Sequence, residues 1–164
     1  MDFYNKIEIE RIAKAADKNE KMEDFFNERR TEWNDKLEPL YSVLKLDFTD
    51  SNSVKKVLDC QSYALSYRQM IHENINVFVN KRGVEDSKLK TLKYDKFMFY
   101  ATGFGIKTNL SEKGILIDAH LAENERAINI IDSYIQFLRD TNKVLESLGF
   151  SIKNMIELLN YLGK

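Results

Sequence analysis

A single proline, Pro39, and only six glycines in 164 residues constrain this chain more than any motif does. Proline loses a backbone donor and clashes with the preceding helical turn, and glycine costs backbone entropy, so both break helices. A chain this poor in them reads as mainly α, with room for one domain and a proper core.

The apolar spacing supplies the elements. Residues 5–37 read as a long amphipathic helix, with Ile12, Ala16, Phe26, Trp33 and Leu37 near one face and Lys14, Lys18, Glu28 and Arg29 on the others. Pro39 ends or kinks it, and Leu40, Tyr41 and Leu44 carry the apolar face a turn or two further. With Arg30 close to its stripe, this segment reads as an interaction helix, packing on its own bundle or on a partner. The loop from Asp47 to Ser53 offers Ser51 or Ser53 as an N-cap. A second helix follows from Val54 to about Asn80, with Val57, Leu58, Leu65, Ile71, Ile75 and Phe78 as its apolar set. Gly83 weakens the pattern, Asp86–Ser87 can cap a new helix to Tyr100, and Thr102-Gly103 is its stop. Residues 103–121 read as irregular, with Gly114-Ile-Leu-Ile-Asp as a short strand or a helical turn. The pair Gly103-Phe-Gly105 lacks the GxxxxGK[ST] run of a phosphate loop.

From Ala122 or Glu123 to Ser147 the helical signal is clearest. Ile128, Ile131, Ile135, Leu138 and Leu145 follow the 3–4 spacing of a heptad seam, with Asn142 at a seam position where a polar residue can fix register. Gly149 is placed to end this helix and Ser151 to cap a last one carrying Ile152, Met155, Ile156 and Leu159. Residues 122–164 therefore read as a helical hairpin with too little chain to bury its own apolar faces. Its seam (Ile128, Ile131, Ile135, Leu138, Asn142, Leu145, Ile152, Ile156, Leu159) is expected to assemble several copies into an oligomeric bundle. Three regions result, 1–46, 47–121 and 122–164, within one structural domain.

Charge is balanced overall, 25 bases against 26 acids, but not locally. There are 11 bases against 14 acids over residues 1–60, 8 against 4 over 61–107, and 6 against 8 over 108–164. A positive middle can bind polyanions although the total is near neutral. The lone Cys60 excludes an internal disulfide framework, which fits a reducing compartment, and reads as a small buried hydrophobe. His72 and His120 form no zinc-ligand cluster, no apolar run reaches a membrane span, and no secretory segment opens the chain. A cytoplasmic protein without metal or cofactor is expected. Nothing assembles an acid, a base and a pocket, so an enzyme is not expected.

The basic middle peaks in the stretch KLKTLKYDKFMFYATGFGIK, residues 88–107. Lys88, Lys90, Lys93, Lys96 and Lys107, with Lys81 and Arg82 upstream, interleave with Tyr94, Phe97, Phe99, Tyr100 and Phe104. Lysines neutralise phosphates and aromatic faces stack on unpaired bases, as a single-stranded nucleic acid site requires. Arg82, Lys88, Lys90, Lys93, Lys96 and Lys107 are the backbone-contact candidates, and Tyr100 and Phe104 the stacking candidates. Lys93 and Lys96, three residues apart, are expected on one face. Phe97 and Phe99 read as core. The commoner alternative is a core stripe with a solvated lysine face, which would leave a helical structural or adaptor protein that oligomerises and binds only protein.

The run from Ala122 through Leu145, then Gly149-Phe150-Ser151-Ile152-Lys153-Asn154, resembles the end of the UvsY recombination-mediator family of T-even-like phages, with its G-F-x-I-K motif. Phe99-Tyr100-Ala101-Thr102-Gly103 is similar to the aromatic pair and Thr/Ser-Gly that end the family's basic helix, and the loop at Asp50-Ser51 and the Tyr67 helix also align. The resemblance covers about residues 47–164. Residues 1–45 have little counterpart in the short members, Gly83 interrupts a helix that is continuous there, and Tyr94 and Asp95 are not the family's residues. It implies a ring-like homo-oligomer, a hexamer or heptamer. Such a mediator binds single-stranded DNA, helps displace a single-strand DNA-binding protein, and loads a RecA-like recombinase.

Overall fold

The chain, described by a computed structural model over residues 2–46, 51–102 and 110–162, is a bundle of three long α-helices. They are α1 (Asp2–Ser42), α2 (Ser51–Ala101) and α3 (Leu110–Leu162), of 41, 51 and 53 residues, and a short 3₁₀ turn, Val43–Lys45, follows α1. Among the described residues there is no strand. The mainly α expectation holds, and the helices are fewer and longer than the local signals suggested.

The apolar spacing carries straight through each expected break. Leu145, Leu148 and Ile152 keep the 3–4 step across Gly149 and are all buried. One helical glycine costs only about 1 kcal/mol, and packing on both sides outweighs it. The C-terminal hairpin is thus replaced by one helix, and the Ser151 hydroxyl donates to the Ser147 carbonyl (3.1 Å) instead of capping a new one. Gly83 is crossed in the same way, with Ser87 bonding back to the Gly83 carbonyl (3.0 Å). The segment Gly114–Asp118 is helical rather than a strand, since α3 starts at Leu110. α1 runs through Pro39 and ends one turn later at Ser42, at the cost of the one bond a donor at position 39 would make to the Asp35 carbonyl. Of the proposed glycine stop, Thr102 is a turn residue and Gly103 lies outside the described residues.

Two compact units share these helices. Unit 1 comprises residues 1–26 and 78–134, and unit 2 comprises 27–77 and 135–164. Within unit 1, α1 and α2 are antiparallel, as the Phe26–Phe78 and Glu8–Lys96 contacts require, and α3 runs with α1. Its core centres on three rings: Phe26 stacks on Tyr134 at 4.4 Å, and Phe78 meets both edge-on at 5.2 and 5.1 Å. Ile117, Leu121, Ile128 and Ile131 of α3 complete it.

Unit 2 has the same helix directions, with Trp33 edge-on to Tyr67 at 6.0 Å. Its buried apolar residues are Trp33, Leu37 and Leu40 of α1, Val57, Cys60, Ala64 and Ile71 of α2, and Ile135, Leu138, Leu145, Leu148 and Ile152 of α3. Arg30 lies over the Phe137 ring at 5.8 Å, so the charge near the stripe is used within the bundle. Leu58 and Leu65, expected in the core, are instead 51% and 61% exposed.

The expected assembly seam is occupied at home. Ile128, Ile131, Ile135, Leu138, Leu145 and Ile152 are buried by the chain's own helices, and Ile156 and Leu159 are half-buried. Asn142 is half-buried and accepts from Arg68 Nε at 3.3 Å, while the buried polar seam residue is its neighbour Thr141, bonded to the Phe137 carbonyl. Three helices of this length satisfy the seam that a short hairpin could not.

Candidate nucleic-acid interface

The basic stretch forms the C-terminal half of α2, and helical geometry sorts its residues onto different faces. Lys90, Tyr94 and Phe97 stand at i, i+4 and i+7, hence on one side, with Lys93 four residues before Phe97. All four are exposed, Tyr94 by 63% and Phe97 by 50%. The expectation that Phe97 belongs to the core is corrected: its position points away from the stripe made by Leu89, Leu92 and Lys96. Phe99 is half-buried, its ring 5.3 Å from that of Tyr100.

Lys96 departs most from expectation. It is 8% exposed, and its Nζ lies 2.8 Å from the buried Glu8 carboxylate. Three residues fall about 60° short of a full helical turn, enough to put Lys93 in water and Lys96 in the core. Tyr100 is half-buried and its hydroxyl pairs with His120 Nε2 at 2.9 Å, so its ring is no free stacking platform. Phe104 and Lys107 lie outside the described residues.

The other cations have carboxylate neighbours. Arg82 donates to Asp132 (3.2 Å), Lys88 to Glu85 (3.0 Å), Lys90 approaches Asp86 (2.8 Å), and Lys93 donates to Asp118 (3.4 Å). Burial pushes the Glu85 carboxyl up, but hydrogen bonds and charge from Lys88 and Lys18 outweigh it and hold it below its ordinary value. The Asp86 carboxyl is lowered by its hydrogen bond with Lys90. A pair exposed on both sides, such as Lys93–Asp118, contributes only about 0–1 kcal/mol, so a phosphate can displace the carboxylate. The pair Lys96–Glu8 is different, because opening it strands a charge out of water.

Beside this face a groove of about 800 Å³ follows α2 past Asn80, Gly83, Ser87, Lys88 and Thr91, with Asn124 of α3 on its wall. Val84 and Leu92 also line it, so the groove offers apolar surface beside its hydroxyl and amide groups. Sequence reasoning missed Tyr94 and Phe97 as the exposed rings. Their shared face with Lys90 was the available signal.

Among the described residues, no group of three or more His, Cys, Asp or Glu side chains is arranged to hold a metal ion, and no helix is long and apolar enough to cross a membrane. Fold and face together define a three-helix bundle whose second helix displays lysines and aromatic rings to solvent. No protein-family model, curated protein or solved structure matches the chain.

Proposed function

We propose that the protein is a recombination mediator of the kind the resemblance implies. It binds single-stranded DNA regardless of sequence and helps a RecA-like recombinase replace a single-strand DNA-binding protein. It acts in the cytoplasm, as a homo-oligomer. The observation that carries the reading is the pair of exposed rings, Tyr94 and Phe97, one turn apart on α2 beside Lys90 and Lys93. Large apolar side chains in water that serve no core are what base stacking needs, at about 1–3 kcal/mol per base. Lys90, Lys93 and Lys88 exchange carboxylate partners for phosphates, with Arg82 flanking, and release counterions as they do so. Oligomerisation multiplies a modest patch by avidity. Since the α3 seam is inside the core, contact between copies falls to exposed apolar side chains such as Leu65 and Phe150, which are 61% and 63% exposed.

The test is titration with oligonucleotides of unrelated sequence at low and moderate salt, with solution mass read on the same sample. Affinity is expected to fall with salt at a slope of about −0.7 per neutralised phosphate. Tyr94→Ala with Phe97→Ala should weaken binding at least about tenfold, given the stacking energy of two rings. Binding indifferent to salt and to both rings sinks the reading.

A second reading, a helical adaptor that touches only protein, is favoured by one observation. In unit 2 a cavity of about 210 Å³ opens between α2 and α3, with Leu65 and Phe150 on its rim. On that reading the lysines are solvated surface, and no oligonucleotide binds at any salt.

A further inference from the structure

Unit 1 buries a carboxylate among more positive charge than it can neutralise. Glu8 Oε1 on α1 accepts from Arg11 Nη2 (2.6 Å) and Nε (2.9 Å), and Oε2 lies 2.8 Å from Lys96 Nζ on α2. His120 on α3 closes the cluster. Its Nδ1 stands 3.3 Å from Glu8 Oε1, buried and without a well-formed hydrogen bond, and its Nε2 pairs with the Tyr100 hydroxyl at 2.9 Å. Arg11 also donates to the His120 carbonyl (2.7 Å) and to Asn124 Oδ1 (3.3 Å), so one guanidinium ties α1 to α3.

The groups facing the imidazole are Glu8 and Arg11 from α1 and Lys96 and Tyr100 from α2. One turn along α3, the Glu123 carboxylate is engaged by Asn19 (2.9 Å) and lies 3.6 Å from Arg126. With His120 neutral, one negative charge already faces two positive ones. In that state a proton on Nδ1 lies on the Glu8 side of the ring without a well-formed bond to it, which leaves Nε2 to accept from the Tyr100 hydroxyl. A second proton on the ring makes three positive charges to one in a site withdrawn from water, and the Tyr100 hydroxyl must turn its own proton away.

We propose that this cluster is an acid-sensitive clasp: neutral His120 lets Glu8 and Arg11 hold the first turns of α1 on α2 and α3, and protonating His120 loosens that hold before the rest of the bundle opens. Burial pushes the imidazole down, and Lys96 and Arg11 add to this, against the opposing pull of Glu8. A histidine lowered in the folded state contributes fully above its unfolded value, about 6.5, and its contribution is lost as pH falls below it. Glu8 stays charged through that interval, because hydrogen bonds from Arg11 and Lys96 outweigh its burial and hold its carboxyl low. An open clasp also uncovers Lys96, next to Lys93.

Hydrogen exchange on the full chain at neutral and mildly acidic pH, corrected for intrinsic rates, tests this. In the wild type, amides of residues 9–19 should lose protection severalfold on acidification while those of residues 145–152 in unit 2 do not. His120→Gln, which cannot take the proton, should abolish the pH dependence. Equal loss in that variant, or no loss or a gain of protection in the wild type, overturns the clasp. Should the variant fail to fold, histidine NMR of the wild type decides: an Nδ1–H tautomer titrating below about 6.5 is expected, and a His120 titration above it is the contrary result.

Discussion

Units 1 and 2 draw on the same three helices with the same 3–4 spacing, yet they fill their seams with different chemistry. In unit 1 the α1 stripe runs Glu8, Ile12, Ala15, Asn19, Met22, Phe26, and the α2 stripe runs Phe78, Arg82, Glu85, Leu89, Leu92, Lys96. Glu8, Asn19 and Lys96 are buried there, whereas among the described residues of unit 2 the buried polar ones are Ser53 and Thr141. The Thr141 hydroxyl bonds back to the Phe137 carbonyl of its own helix, which fits almost any packing. A buried carboxylate with two cations fits one register. Unit 1 therefore carries a register-sensitive polar network, at the desolvation cost of buried charge, where unit 2 carries hydroxyls.

The strongest way to break this contrast is to truncate the apolar centre of each unit. Phe26→Ala removes the ring that both Phe78 and Tyr134 contact, and should cost about 3–5 kcal/mol in chemical denaturation. Leu138→Ala in unit 2 should cost about 2–5 kcal/mol. Neither loss should depend on pH across the neutral range, since no titrating group is touched. A cost for Phe26→Ala well below that for Leu138→Ala would mean that unit 1 is held by its polar network rather than its rings.

Next in size is the network itself. Glu8→Ala leaves Lys96 and Arg11 facing each other without a carboxylate and should cost about 3 kcal/mol, the penalty of a stranded buried charge. Replacing Glu8 and Lys96 together by Met should recover much of that loss, since an apolar pair of similar volume is often neutral or stabilising. If the double variant is the less stable of the two, the pair contributes net stability and the contrast with unit 2 is one of composition only. The acid limb sharpens the comparison further. The Glu8 carboxyl is held low in the fold, so its contribution is present above its unfolded value of about 4.3 and is lost as pH falls through the folded one. Unit 1 should lose protection in two stages, His120 first and Glu8 after, followed by exchange at amides of each unit. A single stage common to both units would remove the distinction.

These results also mark what a sequence of this kind discloses. The scarcity of Pro and Gly, and the spacing of residues such as Ile128, Ile131, Ile135 and Leu138, made the helices legible because both effects are local. Helix ends were not, because Gly83 and Gly149 are decided by packing partners far along the chain. The lysines of α2 were visible as a group, but which of them reach water was not. Lys93 and Lys96 differ only by which side of a 60° boundary they fall on, and the residue that claims Lys96 is Glu8, 88 positions away. Phe97 was misplaced by the general tendency of phenylalanine to be buried. Glu8 sits at a seam position four residues before Ile12, and that spacing was the sequence signal for the buried network.

The smallest expected effect bears on that last gap, because it separates a property of the helices from a property of either core. Gly83 in unit 1 and Gly149 in unit 2 both lie inside continuous helices, and a methyl group added at either would meet nothing within 4 Å. Glycine in a helix interior costs about 0.8–1 kcal/mol relative to alanine, chiefly through backbone entropy. Gly83→Ala and Gly149→Ala should therefore each stabilise the protein by about 1 kcal/mol, alike in both units and additive in the double variant. The sign is the informative part. A glycine that ended one helix before another began would adopt a left-handed conformation, in which alanine is strained and destabilises. A loss at Gly149 would restore the C-terminal hairpin and its exposed seam. A gain at both positions, measured by denaturant midpoint, fixes the long helices as the common frame on which the two seams differ.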